Sequence, residues 1–370
     1  MQLSYWEIKN WFTNVDFTIV GSGIVGLHAA LALRERFPSA KILVLEKGVL
    51  PQGASTKNAG FACFGSISEI IDDLKTHTEE EVLQLIQKRY AGLQLLRKNL
   101  GDAALDLKPF GGYELFLKND LSNYEECLQK MPFINELLRP YFKSDVFSKQ
   151  VDRFQFADIT EYLIFNPFEA QIDTGNMMQA LLKKAHQNDI LILNNQNVTN
   201  FQELNDGVEV VTNGITFKTN KLIFTANGFA AQLTHNQVQP ARAQVLITKP
   251  IPNLDIKGTF HLDQGFYYFR NINDRILLGG GRNLDFDGET TTSHETTELI
   301  QNHLEELLKN VILPQTQFEI DHRWSGTMGI GAHKKPIVEQ LSNHVYCGVR
   351  MGGMGVAIGS IIGQEVADLI

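Results

Sequence analysis

The chain has 370 residues, of which 43% are hydrophobic, and a formal net charge of −9. This length exceeds that of one ordinary domain, so we expect two domains and a large core. The acidic balance, with a pI near 5.6, argues against a nucleic-acid partner. No apolar run reaches the about 18 residues of a membrane span, and the N-terminus lacks the basic and apolar regions of a signal peptide. These features predict a cytoplasmic protein without a transmembrane segment.

The first elements form a predicted βαβ unit. A strand over 16–20 leads into Gly21-Ser22-Gly23-Ile24-Val25-Gly26, a helix follows over 24–36, and a second strand over 41–45 ends at Glu46. Glycines at this spacing permit a tight turn and a close approach to a pyrophosphate at the helix N-terminus, and the acid takes ribose hydroxyls. The unit predicts a bound dinucleotide, held by Gly21, Ser22, Gly23, Ile24, Val25, Gly26, Glu46 and Lys47.

The stretch 53–61 has small and polar residues and little strand character, where an NAD enzyme usually continues with further βαβ repeats. It resembles the second signature of the D-amino-acid oxidase superfamily, flavoproteins that include glycine, sarcosine and gamma-glutamylputrescine oxidases. The resemblance implies FAD and a course along its pyrophosphate and ribitol. The residues that this signature assigns to the cofactor are Ser55, Lys57, Asn58, Ala59 and Gly60.

Helical periodicity and alternating patterns predict the elements that follow. The predicted helices cover 79–98, 122–138, a segment from Asp173 or Thr174 to about 187, and 292–309. The predicted strands lie at 109–117, 189–193, 207–212, 215–218, 221–226, 243–249, 265–270 and 275–281.

Three later segments repeat the resemblance in the family's order. They are 221–228, ending in Ala-x-Gly; 239–244, similar to the entry to a substrate domain; and 336–357, similar to a strand, glycine turn and final helix over the flavin. The resemblance assigns Val198, Ala226, Gly228, Gly352, Gly353, Met354, Gly355 and Val356 to the cofactor.

The implied fold class is α/β. We expect a Rossmann-like FAD-binding domain, with a mainly parallel sheet and helices, over 1–75, 170–240 and 322–370. An α+β substrate domain with a largely antiparallel sheet is expected over 76–169 and 241–321.

Three side chains are candidates for the substrate pocket. Strand alternation lets only one of Tyr267 and Tyr268 face inward, and we predict Tyr267. Arg282 follows a predicted strand whose end carries a pocket residue in relatives, although an exposed loop arginine has the same pattern. Arg350 precedes the glycine turn, where it can contact flavin O2 or a substrate acid, or pair at the surface.

Some positions depart from the family pattern. Met328 stands where oxidases of small α-amino acids carry a carboxylate-binding arginine, and a thioether cannot replace that arginine. The segment 324–329 is more similar to gamma-glutamylputrescine oxidases. Sarcosine oxidase relatives have a lysine where Ala357 stands, and they attach the flavin through a cysteine near the position of Trp324 or Met328, where this chain has none. We therefore expect noncovalent FAD.

The cysteines suggest no other chemistry. Cys63, Cys127 and Cys347 are odd in number and lack metal-ligand spacing, so we expect buried thiols, without a disulfide framework or metal site.

The sequence thus predicts an FAD-dependent oxidoreductase. We expect it to oxidise the C–N bond of an amine or N-substituted amino acid by hydride transfer to flavin N5. Its second partner is expected to be oxygen or another electron acceptor. A 2-hydroxy-acid or polyol dehydrogenase of the same fold is the first alternative. It would need a base, for which His261 and His333 are candidates. A non-catalytic flavin-binding protein is the alternative of another class.

Overall fold

The computed structural model describes residues 2–231 and 237–370; residues 232–236 of the predicted segment 170–240 lie outside the described residues. Among these, no helix is long and apolar enough to cross a membrane.

The strands, in chain order, are β1 Val15–Val20, β2 Ile42–Leu45, β3 Phe61–Ala62, β4 Gly112–Glu114, β5 Ser148–Val151, β6 Tyr162–Asn166, β7 Ala170–Gln171, β8 Leu191–Leu193, β9 Val198–Leu204, β10 Gly207–Thr212, β11 Thr216–Phe224, β12 Gln239–Thr248, β13 Thr259–Leu262, β14 Tyr267–Ile272, β15 Arg275–Gly280, β16 Ile320–Ile330, β17 Ile337–Gln340 and β18 Val345–Val349. The α-helices are α1 Tyr5–Glu7, α2 Ile24–Arg36, α3 Ile67–Thr76, α4 Glu79–Leu100, α5 Asp102–Leu105, α6 Leu121–Phe142, α7 Thr174–Gln187, α8 Glu298–Leu307 and α9 Gly355–Asp368.

The first sheet has the strand order β17-β18-β11-β1-β2-β8, with β10 and β9 attached beside β11. Strand β1 is parallel to β11 and to β2, and β18 is parallel to β11. All four residues of β2 are buried, as expected for a parallel strand that is covered on both faces. Helices α2 and α9 contribute side chains to the core that covers one face.

The second sheet has the order β16-β12-β15-β14-β13-β4-β6-β5 and is antiparallel except between β13 and β4. One face packs Phe260, Phe269 and Leu278 against Ile300 and Leu304 of α8. This apolar core leaves the other face of the sheet free to form the wall of a cavity. The two sheets confirm the predicted fold class.

Each sheet is assembled from distant parts of the chain. The first takes strands from 15–45, 191–224 and 337–349, and the second from 112–166, 239–280 and 320–330. The predicted boundary at 321/322 falls inside β16, which pairs with β12 throughout its length. The domain boundaries themselves stay a prediction.

Helices α6 and α8 differ most from their predicted bounds, and α4 ends two residues after the predicted 98. Helix α6 continues through Pro140 to Phe142 instead of ending at 138, because buried Asn135, Leu138 and Phe142 fix its last turns. The Asn135 side chain also bonds the backbone at Val146 and Phe147. Helix α8 begins at Glu298, six residues after the predicted start, because the N–H of Thr297 is bonded to the Gln244 side chain.

Candidate functional site

A cavity of about 590 Å³ extends from the glycine turn after β1 to the free face of the second sheet. This volume lies in the range of small-molecule and cofactor sites. The cavity joins the two regions that the sequence assigned to the nucleotide and to the substrate.

Glycines shape the nucleotide end. Gly21 has φ +109°, a conformation that L side chains rarely adopt, and a Cβ on Gly26 would collide with the Gly21 carbonyl oxygen. A Cβ on Gly23 would lie 2.8 Å from Ser55 Oγ. The backbone therefore passes close to the cavity at the start of α2, where the first helical turn lacks intrahelical partners for its N–H groups. This cradle fits a pyrophosphate.

The Glu46 carboxylate is oriented before any ligand binds. One oxygen accepts from the N–H and the hydroxyl of Ser22 at 3.2 and 2.7 Å, and the other accepts from the N–H of Gly48 at 3.0 Å. Glu46 is buried and lines the cavity. The oxygen bonded to Gly48 also accepts a long bond from the N–H of Gln52 at 3.4 Å, which a ribose hydroxyl can replace, so the carboxylate fits the predicted role.

The segment after β2 is held along the middle of the cavity. Ser55 Oγ accepts from the N–H of Ile24 at 2.9 Å, and the Asn58 side chain bonds Ala54, Ser55 and Gly60 within its own turn. The indole N–H of Trp324 donates to the Lys57 carbonyl at 2.9 Å. The polar residues of this segment therefore fix a cavity wall rather than a surface loop.

The glycine turn before α9 closes another side. Gly352 and Gly353 have φ of +57° and +81°, and the cavity lining continues into the first residues of α9. Met328 on β16 faces this turn, with its Sδ 3.4 Å from the position of a Cβ on Gly353. The missing arginine thus leaves an apolar thioether in the cavity wall.

The second sheet presents one row of residues to the cavity. The register places His261 of β13 opposite Tyr268 of β14, and Tyr268 opposite Gly279 of β15. Val245 pairs with Gly279, and His261, Tyr268 and Val245 all line the cavity. A Cβ on Gly279 would overlap the Tyr268 ring, so this glycine gives the ring its place.

The expected orientation of the two tyrosines is reversed. Tyr268 lines the cavity, whereas Tyr267 points to the opposite face of the sheet and packs in the core beside α8. The centre of the Tyr267 ring lies 5.3 Å from the centre of the His303 ring. Alternation was predicted correctly, but the face that each residue takes was wrong.

Arg350 also points elsewhere. The backbone of Arg350 has φ +67°. Its side chain lies against the segment that precedes β17, where Nε donates to the carbonyl oxygen of Lys335 at 2.8 Å. Arg350 is not among the residues that line the cavity. Of the alternatives considered, pairing near the surface is the one observed.

Arg282 does line the cavity, and its guanidinium lies 4.8 Å from the centre of the Phe286 ring. Burial lowers the pKa of Arg282, but a guanidinium is not deprotonated in proteins, so Arg282 is a cation. Its Nη1 is enclosed without a hydrogen-bond partner in the described part of the chain, and so is Oγ1 of Thr327, another lining residue. Both atoms are covered by neighbouring protein atoms, so neither is itself exposed to the cavity.

A buried ion pair lies in the same wall. His261 Nε2 is 2.9 Å from Oε2 of Glu169, which also accepts from the Thr259 hydroxyl at 2.9 Å. Cys63 contributes its thiol nearby, and the ligating atoms of Cys63, Glu169 and His261 lie within 4.8 Å of one another. Because His261 and Glu169 bond each other directly, their atoms are not directed at a shared ion. The absence of a metal stays a prediction.

Most predicted cofactor residues line the cavity. They are Gly21, Gly23, Ile24, Val25, Glu46, Lys47, Ser55, Lys57, Asn58, Ala59, Gly60, Val198, Ala226, Gly352, Gly353, Met354, Gly355 and Val356. Ser22 acts through Glu46, while Gly26 and Gly228 serve close backbone packing, at Gly21 and at Met328 respectively.

The lining residues that no sequence signal had assigned to the site include Phe61, Cys63, Glu69, Asp72 and Tyr268, and His261 was expected only as a possible base. For Tyr268 the alternation of side chains along β14 was a usable signal, because it left Tyr268 as the alternative to Tyr267.

Comparisons with known proteins agree with this geometry. A family model described as DAO, FAD dependent oxidoreductase, matches residues 16–369. The probable oxidoreductase OrdL of Haemophilus influenzae is 20% identical over 366 residues, which are 96% of this chain and 83% of that protein.

Solved structures show the same fold. Glycine oxidase from Geobacillus kaustophilus has a TM-score of 0.76 at 18% identity, with 96% of this chain and 94% of that chain covered. L-proline dehydrogenase from P. horikoshii has a TM-score of 0.75 at 16% identity, with 96% and 93% covered. Iminodiacetate oxidase from Chelativorans sp. BNC1 has a TM-score of 0.74 at 18% identity, with 95% and 94% covered.

Proposed function

The chain belongs to the DAO family of FAD dependent oxidoreductases, and from this premise we propose that it oxidises the C–N bond of an amine or an N-substituted amino acid. The family match confirms the resemblance drawn from the sequence. One observation carries the proposal: the glycine cradle and the Tyr268 face of the second sheet line a single cavity. When bound, FAD supplies the acceptor for the hydride of the substrate α C–H bond, and water hydrolyses the resulting imine.

The chain's own residues supply binding and a partly apolar compartment. The Phe61 ring meets the rings of His261 and Tyr268 edge-on, with distances of 5.3 and 5.7 Å between ring centres. Together with Met328, which also lines the cavity, Phe61 limits the space for water. Burial raises the pKa of Tyr268 to about 12, so its hydroxyl keeps its proton and can donate a hydrogen bond. No protein nucleophile is needed for this chemistry.

The histidines favour an amine over a hydroxy acid as substrate. Burial opposes the charge of His261, but Glu169, Glu69 and Glu114 outweigh burial and raise its pKa to about 9. His261 therefore already carries a proton at neutral pH and does not take one from a hydroxyl. His333, the other candidate base, is exposed and does not line the cavity. Its ring centre lies 6.0 Å from that of His77.

We also propose that the FAD is noncovalent. Cys347 is buried in the first-sheet core, away from the cavity lining. Cys63 does line the cavity, but burial and the neighbouring Glu169 raise the pKa of its thiol well above the ordinary value, which keeps it protonated. A protonated thiol is a poor nucleophile.

Anaerobic titration of the FAD-loaded protein tests the function. Primary amines, N-methyl amino acids and 2-hydroxy acids are added in turn, and loss of the oxidised flavin absorbance is followed. We expect bleaching by compounds with an oxidisable C–N bond, and admission of oxygen then distinguishes peroxide formation from transfer to another acceptor. Bleaching by hydroxy acids alone, or by none of these compounds, would contradict the proposal.

Removal of the Tyr268 hydroxyl should slow this reaction. Tyr268→Phe is expected to lower kcat/KM by roughly fivefold to tenfold, since one hydrogen bond contributes about 1 kcal/mol. Tyr267→Phe removes the same atom on the opposite face of the strand and should leave kcat/KM unchanged. Equal losses in both variants would mean that the cavity face of β14 does not contact substrate.

Arg282 provides a test of substrate charge. If the substrate is acidic, Arg282→Met should raise KM by about tenfold, since the guanidinium of this lining residue can pair with a substrate carboxylate. An uncharged amine should show little change. Steady-state kinetics with an acidic and a neutral substrate of similar size measure the difference, and equal KM values for the acidic substrate in both proteins would mean that Arg282 does not pair with the substrate.

A further inference from the structure

His261 and Glu169 form an ion pair deep in the cavity wall. Their side chains are only 6% and 1% exposed, although the pair lies beside a cavity. Buried charges are expensive unless they are paired, and a pair of this kind often serves a purpose other than stability. The proposed C–N oxidation uses neither His261 nor Glu169 as a base.

The geometry leaves one donor of His261 for a ligand. Nε2 is bonded to Glu169, and Phe61 contacts the ring edge-on. The other nitrogen, Nδ1, makes no hydrogen bond to the residues the structure describes and is not sealed inside the protein. In an imidazolium both nitrogens donate, so Nδ1 presents an N–H from a cationic ring.

The groups around His261 hold this cation in place. Glu169 bonds it directly, Glu114 lies opposite it on β4, and Glu69 of α3 is a further acid near the ring. Burial raises the pKa of Glu114 to about 7, so this carboxyl is partly neutral near that pH. Cys63 stays a neutral thiol. Glu169 is therefore the carboxylate that compensates the imidazolium.

We propose that His261, whose Nε2 is bonded to Glu169, is the inner anion-binding residue of the substrate compartment and receives the carboxylate of an amino-acid substrate. This inference rests on the proposed function and narrows it from amines in general to amino acids. It also supplies the cation that the thioether of Met328 cannot provide. Arg282 beside Phe286 then acts as the outer cation of the same cavity.

The position of His261 fits a small anion. Tyr268 is its cross-strand neighbour, but the Tyr268 ring and hydroxyl lie over Gly279 of β15, on the side away from β13, so Nδ1 is the donor that His261 itself offers to the anion. Phe61 closes the side toward the cofactor segment. An anion bound there loses water while gaining a charge-assisted hydrogen bond, which strengthens the interaction.

Binding of acetate to the FAD-loaded protein tests the inference without turnover. Acetate and its neutral analogue acetamide are titrated between pH 6 and 10, with calorimetry and the flavin absorbance spectrum as readouts. We expect acetate to bind at least about tenfold more tightly than acetamide at pH 7. Because binding needs the imidazolium, acetate affinity should fall as the pH rises through about 9, the pKa of His261.

Two variants and one control make the test specific. His261→Asn should abolish the preference for acetate and its pH dependence. Glu169→Gln removes the carboxylate that does most to raise the pKa of His261 against the effect of burial. The pKa of His261 therefore falls, and acetate affinity is lost at a lower pH than in the wild type. His333→Asn removes an exposed histidine outside the cavity and should behave as the wild type does.

Three results would overturn the assignment: unchanged acetate affinity in His261→Asn, loss of acetate binding in Arg282→Met alone, or one equivalent of bound metal that disappears in His261→Asn. Failure of the proposed function looks different. In that case acetate still binds at His261 with the expected pH profile, while no amine or amino acid bleaches the flavin.

Discussion

Replacement of Glu46 by Ala should raise the dissociation constant for FAD by about 10²–10³-fold. Two ribose hydroxyls can each donate to the carboxylate, and hydrogen bonds to charged groups contribute about 1.5–3 kcal/mol each before compensation. The same carboxylate accepts from Ser22 and Gly48, so its removal also releases the turn that shapes the cradle. The measurement is fluorescence or calorimetric titration of the deflavinated protein with FAD.

The control for this effect is Glu35→Ala, which removes an equal charge from an exposed position of α2 in the same βαβ unit. FAD affinity should be unchanged there. Glu46→Gln retains one acceptor oxygen and should fall between the wild type and Glu46→Ala. Wild-type FAD affinity in Glu46→Ala would mean that the ribose is bound elsewhere in the cavity.

The nucleotide half of the fold was accessible from sequence because its signals are local. The glycine spacing, the helix and the acid lie within one unit of 31 residues, and the predicted helix 24–36 matches α2. The fold class followed from the same unit and from the order of the later motifs. In contrast, the end of α6 was misplaced, because a tertiary contact through Asn135 outweighs the tendency of proline to end a helix.

The substrate half could be predicted only in part, since strand alternation gives parity without giving the face. The face of Tyr268 is set by its register with His261 and Gly279, which depends on pairing among three strands. The pair formed by Glu169 and His261 joins residues 92 positions apart. No local pattern brings these two side chains together, and so the sequence offered His261 only as a possible base.

Gly353→Val is the second replacement with a large expected effect, and it tests whether the glycine turn lies against the flavin. At φ +81° any side chain is strained, and a Cβ already lies 3.4 Å from Met328 Sδ, so the valine methyl groups push into the cavity wall. We expect FAD affinity to fall by about tenfold or more. If the N-terminus of α9 faces the flavin pyrimidine, its displacement removes about 0.3–1 kcal/mol of stabilisation of the negatively charged reduced flavin.

That loss corresponds to a two-electron potential lower by about 6–20 mV, since 30 mV equals about 1.4 kcal/mol for this couple. Gly101→Val separates backbone strain from the contact with the cofactor. Gly101 has φ +83° at the end of α4 and nothing within 4 Å of its Cβ position. Both variants should therefore lose similar thermal stability, and only Gly353→Val should lose FAD affinity and potential. If Gly353→Val keeps the wild-type FAD affinity and potential while losing as much stability as Gly101→Val, the turn does not contact the flavin.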